Sequence, residues 1–142
     1  MSTTNGNIWA GAGSPDAVQV IERFYTLLDA ETPEAAKEMS EMCTEDAVFI
    51  TPGQSFKGRQ EIYTQRIGFW EAFPGITHKP LRVYVSPSSP LDVVVINSFT
   101  FPTKDGARSS YTAANWALAE KNGAYLVQKL ELFMNPTVFG WT

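Results

Sequence analysis

The sequence has few of the residues that metal, redox and disulfide chemistry require. Its 142 residues include one cysteine, Cys43, and one histidine, His78. A single cysteine excludes an internal disulfide and favours an intracellular protein, which we expect to be cytoplasmic. One histidine and one cysteine cannot supply the usual ligands of a zinc site. The sequence therefore predicts a protein without a zinc centre or a disulfide framework.

Several functional signals are also missing. The chain has no GxGxxG, P-loop or nucleophile-elbow pattern, so we expect no cofactor. No apolar run approaches the ~20 residues of a membrane-spanning helix, and the first residues lack the apolar segment of a secretory signal. The net charge is −4 without a basic cluster. This balance argues against nucleic acid and anionic membranes as partners.

The composition that remains predicts one globular domain. A length of 142 residues with 44% hydrophobic and 18% charged residues suits one buried core. Aromatic residues make up 13% of the chain, which is enough to fill a core and to line a cavity. Residues 1–13 are polar and glycine-rich, and we expect a flexible N-terminal arm there. A single domain then covers residues 14–142.

Helix signals dominate the first half of the chain. Two triplets, Ser-Pro-Asp and Thr-Pro-Glu, combine an N-cap residue, a proline at the first helical position and an acidic residue that suits the helix dipole. They predict helices over about 15–30 and 33–43. A short strand over 46–51 is followed by a third helix over about 59–73, which ends at a Pro-Gly pair.

Hairpin signals dominate the second half. Asp105-Gly106 and Asn122-Gly123 supply the positive φ angles that tight hairpin turns need, and Pro87 to Pro90 marks another turn. They separate apolar runs that predict a four-stranded antiparallel meander over about 77–87, 91–103, 107–120 and 124–134. Helices followed by a long curved meander predict an α+β cone that is open at one end.

Three stretches of this pattern resemble a known group of proteins. They read "VIERFYTLLDAETPEAA", "TEDAVFITPGQSFKGRQEI" and "NWALAEKNGAYLVQKLELF". Over roughly residues 15–136 the chain resembles the NTF2-like superfamily and, within it, the SnoaL-like branch. The resemblance implies a cone-shaped curved mixed sheet with N-terminal helices enclosing a pocket, and a homodimer. Members include scytalone dehydratase, ketosteroid isomerase, limonene epoxide hydrolase, polyketide cyclases and fungal meroterpenoid isomerases, as well as proteins that are not enzymes.

The catalytic patterns of these members match to different degrees. The ketosteroid isomerase pattern fails, because Thr51 stands where its base carboxylate is needed. The scytalone dehydratase pattern implies a histidine at the start of the meander and an aspartate at the end of helix one, which match His78 and Asp29. Its strand amide matches Asn115, whereas its second histidine has no counterpart.

The chemistry of His78 and Asp29 supports the same assignment. An imidazole can accept or donate a proton near neutral pH, and a carboxylate on one ring nitrogen fixes its tautomer. We therefore expect His78 to act as base or acid and Asp29 to orient it. The alternative is a surface histidine beside Lys79 and a solvated aspartate at a helix end.

Four further polar residues are candidates for the site, each with a plainer alternative. Glu61 is either a second acid or a charge that favours the helix dipole, and Arg66 either binds a ligand carboxylate or carbonyl or lies on the surface. Asn115 either donates to a ligand oxygen beside small alanines or bonds within the sheet. Glu131 is either a cavity carboxylate or a charge on a dimer face.

The remaining expectations concern packing around the pocket. We expect Tyr25, Thr51, Tyr63 and Trp70 to shape the substrate pocket. Alternation along the strand over 107–120 separates Trp116 and Leu118 from Asn115, and the first two could then belong to a dimer interface. Cys43 is expected to be a small buried apolar residue.

These observations predict a cofactor-free enzyme of secondary metabolism. It would be an isomerase or cyclase, or a dehydratase, acting by acid–base proton transfer on an apolar polyketide-like or terpenoid-like substrate. One alternative is a non-catalytic ligand-binding or dimerisation module of the same fold. Another is an epoxide hydrolase, which would need two carboxylates and an arginine around one water. The candidate carboxylates are Asp29, Glu61 and Glu131, and the candidate arginine is Arg66.

Overall fold

The structure, a computed structural model, describes Trp9 and residues 15–135. The expected arm over residues 1–13 lies outside the described residues, apart from Trp9. The described elements, in chain order, are α1 (Pro15–Leu28), α2 (Pro33–Glu41), β1 (Cys43–Thr51), β2 (Gln54–Lys57), α3 (Arg59–Ala72), β3 (Thr77–Ser86), β4 (Ser89–Thr103), β5 (Gly106–Lys121) and β6 (Ala124–Phe133). The three predicted helices and the four strands of the meander are all confirmed.

The strands form one mixed sheet in the order β2-β1-β6-β5-β4-β3. Strands β3 to β6 pair antiparallel with their sequence neighbours, as expected of a meander. Strand β1 pairs parallel with β6. The chain therefore runs from β1 through β2, α3 and strands β3 to β5 before β6 returns to lie beside β1. The sequence prediction of an α+β fold with a curved mixed sheet is confirmed.

The first half of the chain differs in detail from the prediction. Helix α2 ends at Glu41, and β1 begins at Cys43 rather than at residue 46. The short strand β2 was not expected. It pairs antiparallel with β1 through only four residues, from Val48 opposite Lys57 to Thr51 opposite Gln54. Its side chains are mostly exposed, so the sequence there has no apolar alternation to reveal it.

Local chemistry accounts for the ends of several elements. At the start of α2, the Thr32 side chain accepts a hydrogen bond from the Ala35 amide at 3.1 Å, as an N-cap residue does. Between β5 and β6, Asn122 has a φ of 53° and Gly123 a φ of 80°. Two consecutive positive φ angles are typical of the type I′ turn, whose twist suits a two-residue hairpin.

The helices cover one face of the sheet, and the hydrophobic core lies between the helices and that face. Helix α1 contributes Ile21 and Phe24 to this core, and both side chains are fully inaccessible to solvent. In β5, Trp116 and Leu118 are also core residues, at 1% and 5% exposure. Their proposed role in a dimer interface is therefore wrong, because they point towards the helices rather than the outer face. Among the described residues, no helix is both long and apolar enough to cross a bilayer.

Candidate functional site

A cavity of about 80 Å³ lies between the helices and the inner face of the sheet. Every helix and most strands contribute to its lining, which is largely apolar, with Phe24, Phe99 and Leu130 among the lining residues. Seven polar side chains also reach it: Tyr25, Thr51, Gln65, Arg66, His78, Asn97 and Thr112. An apolar cavity with a few polar groups is the usual form of a small-molecule site.

The histidine that the sequence singled out lies in the wall of this cavity. Asp29 follows the last residue of α1, and His78 is the second residue of β3. The Asp29 carboxylate holds His78 by two hydrogen bonds. Its Oδ1 is 2.7 Å from Nδ1 of the ring, and its Oδ2 accepts the backbone N–H of His78 at 3.1 Å. The expected pair is thus brought together by the junction of α1 with the start of the meander.

This contact determines which ring nitrogen is available for chemistry. An ionised carboxylate only accepts hydrogen bonds, so Nδ1 of the neutral His78 ring carries its proton. The lone pair is then on Nε2. The side chains of His78 and Asp29 are 16% and 30% exposed, so the pair is largely shielded from water. A histidine held by a carboxylate in this way can accept a proton through Nε2.

A second buried pair lies next to the histidine. The Tyr25 hydroxyl donates to Oδ1 of Asn97 at 3.0 Å, and both residues are almost fully buried. The Tyr25 ring is centred 6.2 Å from the His78 ring. Burial raises the pKa of the Tyr25 phenol well above its ordinary value, so the group stays protonated at neutral pH. Because its oxygen accepts the hydrogen bond from the Tyr25 hydroxyl, the Asn97 amide has a fixed orientation beside the cavity.

Arg66 extends from the middle of α3 to the same cavity. Its guanidinium carbon lies 4.7 Å from the centre of the Phe69 ring and 5.5 Å from that of Trp70. Burial lowers the pKa of Arg66 to about 10, while the nearby charges of Asp29 and Glu31 act in the opposite direction. The side chain is therefore still a cation at neutral pH.

Asn115, the amide that the sequence predicts to reach the cavity, lies on the face of the sheet that is turned away from the helices. Asn115 lines a surface depression together with Tyr84, Asp92 and Lys129, not the cavity. In β5 the inward-facing residues are instead Thr112, Ala114, Trp116 and Leu118. The expectation that Asn115 donates to a ligand in the cavity is therefore wrong. Because Trp116 is large and apolar, it lies in the core. The alternation of side chains along β5 then places its neighbour Asn115 on the outer face.

The two other predicted carboxylates also lie away from the cavity. Glu61 is exposed in the first turn of α3, where its Oε1 accepts the Lys57 amide at 2.9 Å. Glu131 lies 3.6 Å from the Lys129 ammonium and is not part of the cavity lining. The helix-dipole alternative for Glu61 is the one that its position supports. Neither residue contributes an acid to the cavity, which corrects the expectation.

Two of the predicted pocket aromatics pack behind the lining rather than in it. Trp70 is buried, and its indole Nε1 donates to the Leu28 carbonyl at 3.0 Å, so it fastens α3 to the end of α1. Tyr63 is half-buried against the core and does not line the cavity. Tyr25 and Thr51 do line it, as expected.

Cys43 is a core residue, as the sequence indicates. It is fully buried, and its Sγ donates to the Met39 carbonyl at 3.3 Å. Burial raises the pKa of the thiol to about 12, although the charge of Arg59 opposes this shift. The thiol is therefore not ionised at neutral pH. Within residues 15–135 no group of three or more histidine, cysteine, aspartate or glutamate side chains could hold a metal ion.

Sequence reasoning missed three of the polar residues in the cavity wall, Gln65, Asn97 and Thr112. Asn97 lies in the run "VVVINSFT" and shares its face with Val93, Val95 and Phe99, which are all buried. A lone amide on an otherwise apolar face is the signal that could have found it, since buried polar groups are hydrogen-bonded and therefore placed for a reason. Gln65 carries no comparable signal, because α3 is polar on several sides.

Comparison with protein families gives one match, in which the family of SnoaL-like domains covers residues 21–122. Comparison with curated protein sequences finds no match.

Solved structures with low sequence identity share the fold. A candidate scytalone dehydratase from Novosphingobium aromaticivorans superposes with a TM-score of 0.66 at 16% identity, over 84% of this chain and 82% of that one. A candidate polyketide cyclase from Sinorhizobium meliloti gives 0.62 at 16% identity, over 81% and 94%. LinA gives 0.68 at 14% identity, over 84% of each chain. At such identities the likeness is one of fold.

Proposed function

The chain belongs to the SnoaL-like domain family, and on that premise we propose that it is an enzyme of acid–base proton transfer. In this proposal His78 removes a proton from carbon through Nε2, and Asp29 orients the ring and stabilises its protonated form. The observation that carries the proposal is the contact of 2.7 Å between Asp29 and a histidine in the wall of an apolar cavity.

The cavity supports a particular kind of substrate. Its lining is largely apolar, so we propose a small, mostly apolar organic molecule of the polyketide or terpenoid kind. Asn97 would donate to an oxygen of that molecule on which negative charge develops when the proton leaves. Isomerisation, cyclisation and elimination of water all begin with such a step, and positioned acid–base catalysis contributes roughly 10²- to 10⁴-fold to its rate.

The alternatives from the sequence are less well supported. A non-catalytic binding module would not need a carboxylate clamped on the histidine of its cavity. An epoxide hydrolase would need two carboxylates and an arginine around one water, but Glu61 and Glu131 do not line the cavity. The expected homodimer remains a prediction.

The proton-transfer step can be tested without the natural substrate. Nitrobenzisoxazole is a planar apolar probe from which a base removes a carbon-bound proton while the ring N–O bond breaks, giving a coloured cyano-nitrophenolate. We expect the protein to open this ring faster than the same concentration of free imidazole does. His78→Ala should lose roughly 10²-fold or more of the rate, and Asp29→Asn at least about tenfold, because the ring tautomer is no longer fixed.

Matched variants separate catalysis from general damage. Lys79→Ala removes an exposed neighbour of His78, and Asp92→Asn makes the same carboxylate-to-amide change on the outer face of the sheet. Both should keep the wild-type rate. A folded His78→Ala protein with an undiminished rate, or a wild-type rate no higher than that of imidazole, would contradict the proposal.

A further inference from the structure

Arg66 presents an unused hydrogen-bonding group to the proposed substrate site. Its Nε is buried and has no hydrogen-bond partner among the described residues. The side chain lines the same cavity as His78. A buried donor without a partner is costly, so such a group in a native structure calls for an explanation.

Other arginines of the chain show what a structural role looks like. Arg59, also on α3, donates its Nε to the Cys43 carbonyl at 2.9 Å. Arg23 binds Glu38 with two hydrogen bonds, of 2.7 and 2.8 Å. Each of these guanidinium groups bonds to an oxygen of the protein, whereas no oxygen of the described residues accepts from Arg66 Nε.

The two carboxylates whose charges act on Arg66 form hydrogen bonds with other groups of the protein. Asp29 holds His78, and Oε2 of Glu31 accepts the Gly75 amide at 2.8 Å. Both act on Arg66 through their charge, but neither forms an ion pair with it within the described part of the chain. The Phe69 and Trp70 rings contact the guanidinium through cation–π interactions, which supply no oxygen that could accept a hydrogen bond from its Nε–H.

We propose that Arg66 binds a carboxylate of the substrate, so that the substrate is a small, largely apolar carboxylic acid whose reacting carbon lies at His78. This inference rests on the proposed function, since it treats the cavity as a substrate site. A guanidinium fits a planar carboxylate with two parallel hydrogen bonds. A phosphate would carry more charge and require more donors than one arginine in an apolar cavity supplies.

The inference predicts that the protein binds a negatively charged ligand more tightly than an uncharged ligand of the same shape. Two probes can measure this preference. Hexanoate and hexanamide differ only in replacing one carboxylate oxygen by an amide nitrogen. We expect the wild-type protein to bind hexanoate at least about tenfold more tightly, as measured by titration calorimetry at neutral pH. Arg66→Gln should abolish the preference, and Arg66→Lys should retain part of it, because the charge remains while the planar fork is lost.

Controls distinguish this inference from the proposed function. Arg82→Gln removes an exposed arginine of β3 and should leave the preference unchanged. His78→Asn should abolish proton transfer to nitrobenzisoxazole yet keep the preference for hexanoate. Equal binding of the two probes by the wild-type protein would overturn the inference even if Arg66→Gln failed to fold. A preference that persists in folded Arg66→Gln would overturn it as well, and both results leave the catalytic proposal to its own test.

Discussion

At the scale of single residues, the geometry of the site depends on the hydrogen-bond partner that each buried polar group has. Tyr25 and Asn97 satisfy each other at 3.0 Å, which fixes the amide beside His78. Tyr25 is only 3% exposed, and that burial raises the pKa of its phenol. The pair therefore couples the stability of the protein to the protonation of one hydroxyl.

Replacing Tyr25 by phenylalanine should reveal this coupling. At neutral pH, Tyr25→Phe should lower the free energy of unfolding by about 1–3 kcal/mol, because the buried Asn97 oxygen loses its donor. A raised folded-state pKa means that the unfolded chain loses the phenol proton first, so stability falls as pH rises above about 10. The wild-type advantage over Tyr25→Phe should therefore shrink above that pH in urea unfolding experiments.

The control for this experiment is Tyr111→Phe, at a tyrosine that is 68% exposed. That variant should follow the wild-type protein at every pH. A wild-type advantage over Tyr25→Phe that stays constant well above pH 10 would show that Tyr25 is not the coupled group.

At the scale of elements, backbone conformation decides what a residue contributes. Gly123 has a φ of 80° in the turn between β5 and β6, whereas Gly68 lies on the exposed side of α3. A Cβ atom added at either glycine would meet no other atom within 4 Å. Any difference between the two positions must therefore come from the backbone and not from a clash.

The same substitution should have opposite effects at these two glycines. Gly68→Ala should raise the free energy of unfolding by about 0.5–1 kcal/mol, because alanine is the better helix former. Gly123→Ala should lower it by about 1 kcal/mol, because a left-handed conformation is costly for any residue with a Cβ atom. Urea unfolding of the two variants tests this pair, and equal signs would contradict the assigned turn geometry.

The helices, strands and turns were the features that the sequence predicted best. The turn at Asn122-Gly123 and the N-cap at Thr32 depend on neighbours in the chain, so local chemistry identifies them. Strand β2 escaped prediction because it exists only through its pairing with β1, and its own residues are mostly exposed.

At the scale of the whole molecule, the sheet has an inner face that builds the site and an outer face that does not. Asn97 and Asn115 are amides in adjacent strands, yet one is 2% exposed beside Tyr25 and the other lines the outer depression. Their strands pair with Val94 opposite Asn115 and Asn97 opposite Thr112. Alternation alone does not say which set faces the helices.

The two asparagines offer a matched test of the faces. Asn97→Ala should lower the free energy of unfolding by about 1–3 kcal/mol, because it leaves the buried Tyr25 hydroxyl without its acceptor. Asn115→Ala should change it by no more than about 0.5 kcal/mol, as expected of an outward-facing residue. Urea unfolding of both variants at neutral pH gives the comparison, and a larger loss at Asn115 would reverse the assignment of the faces.

The sequence by itself determined the order of the elements other than β2, and it determined that His78 and Asp29 lie close together. It could do so because caps, turns and periodicity act over a few residues, and because the family resemblance places the end of the first helix beside the start of the meander. The faces of β5 and the surroundings of Arg66 were decided only by the tertiary structure. They depend on which side chains fill the space between the helices and the sheet, and packing over the whole core settles that choice.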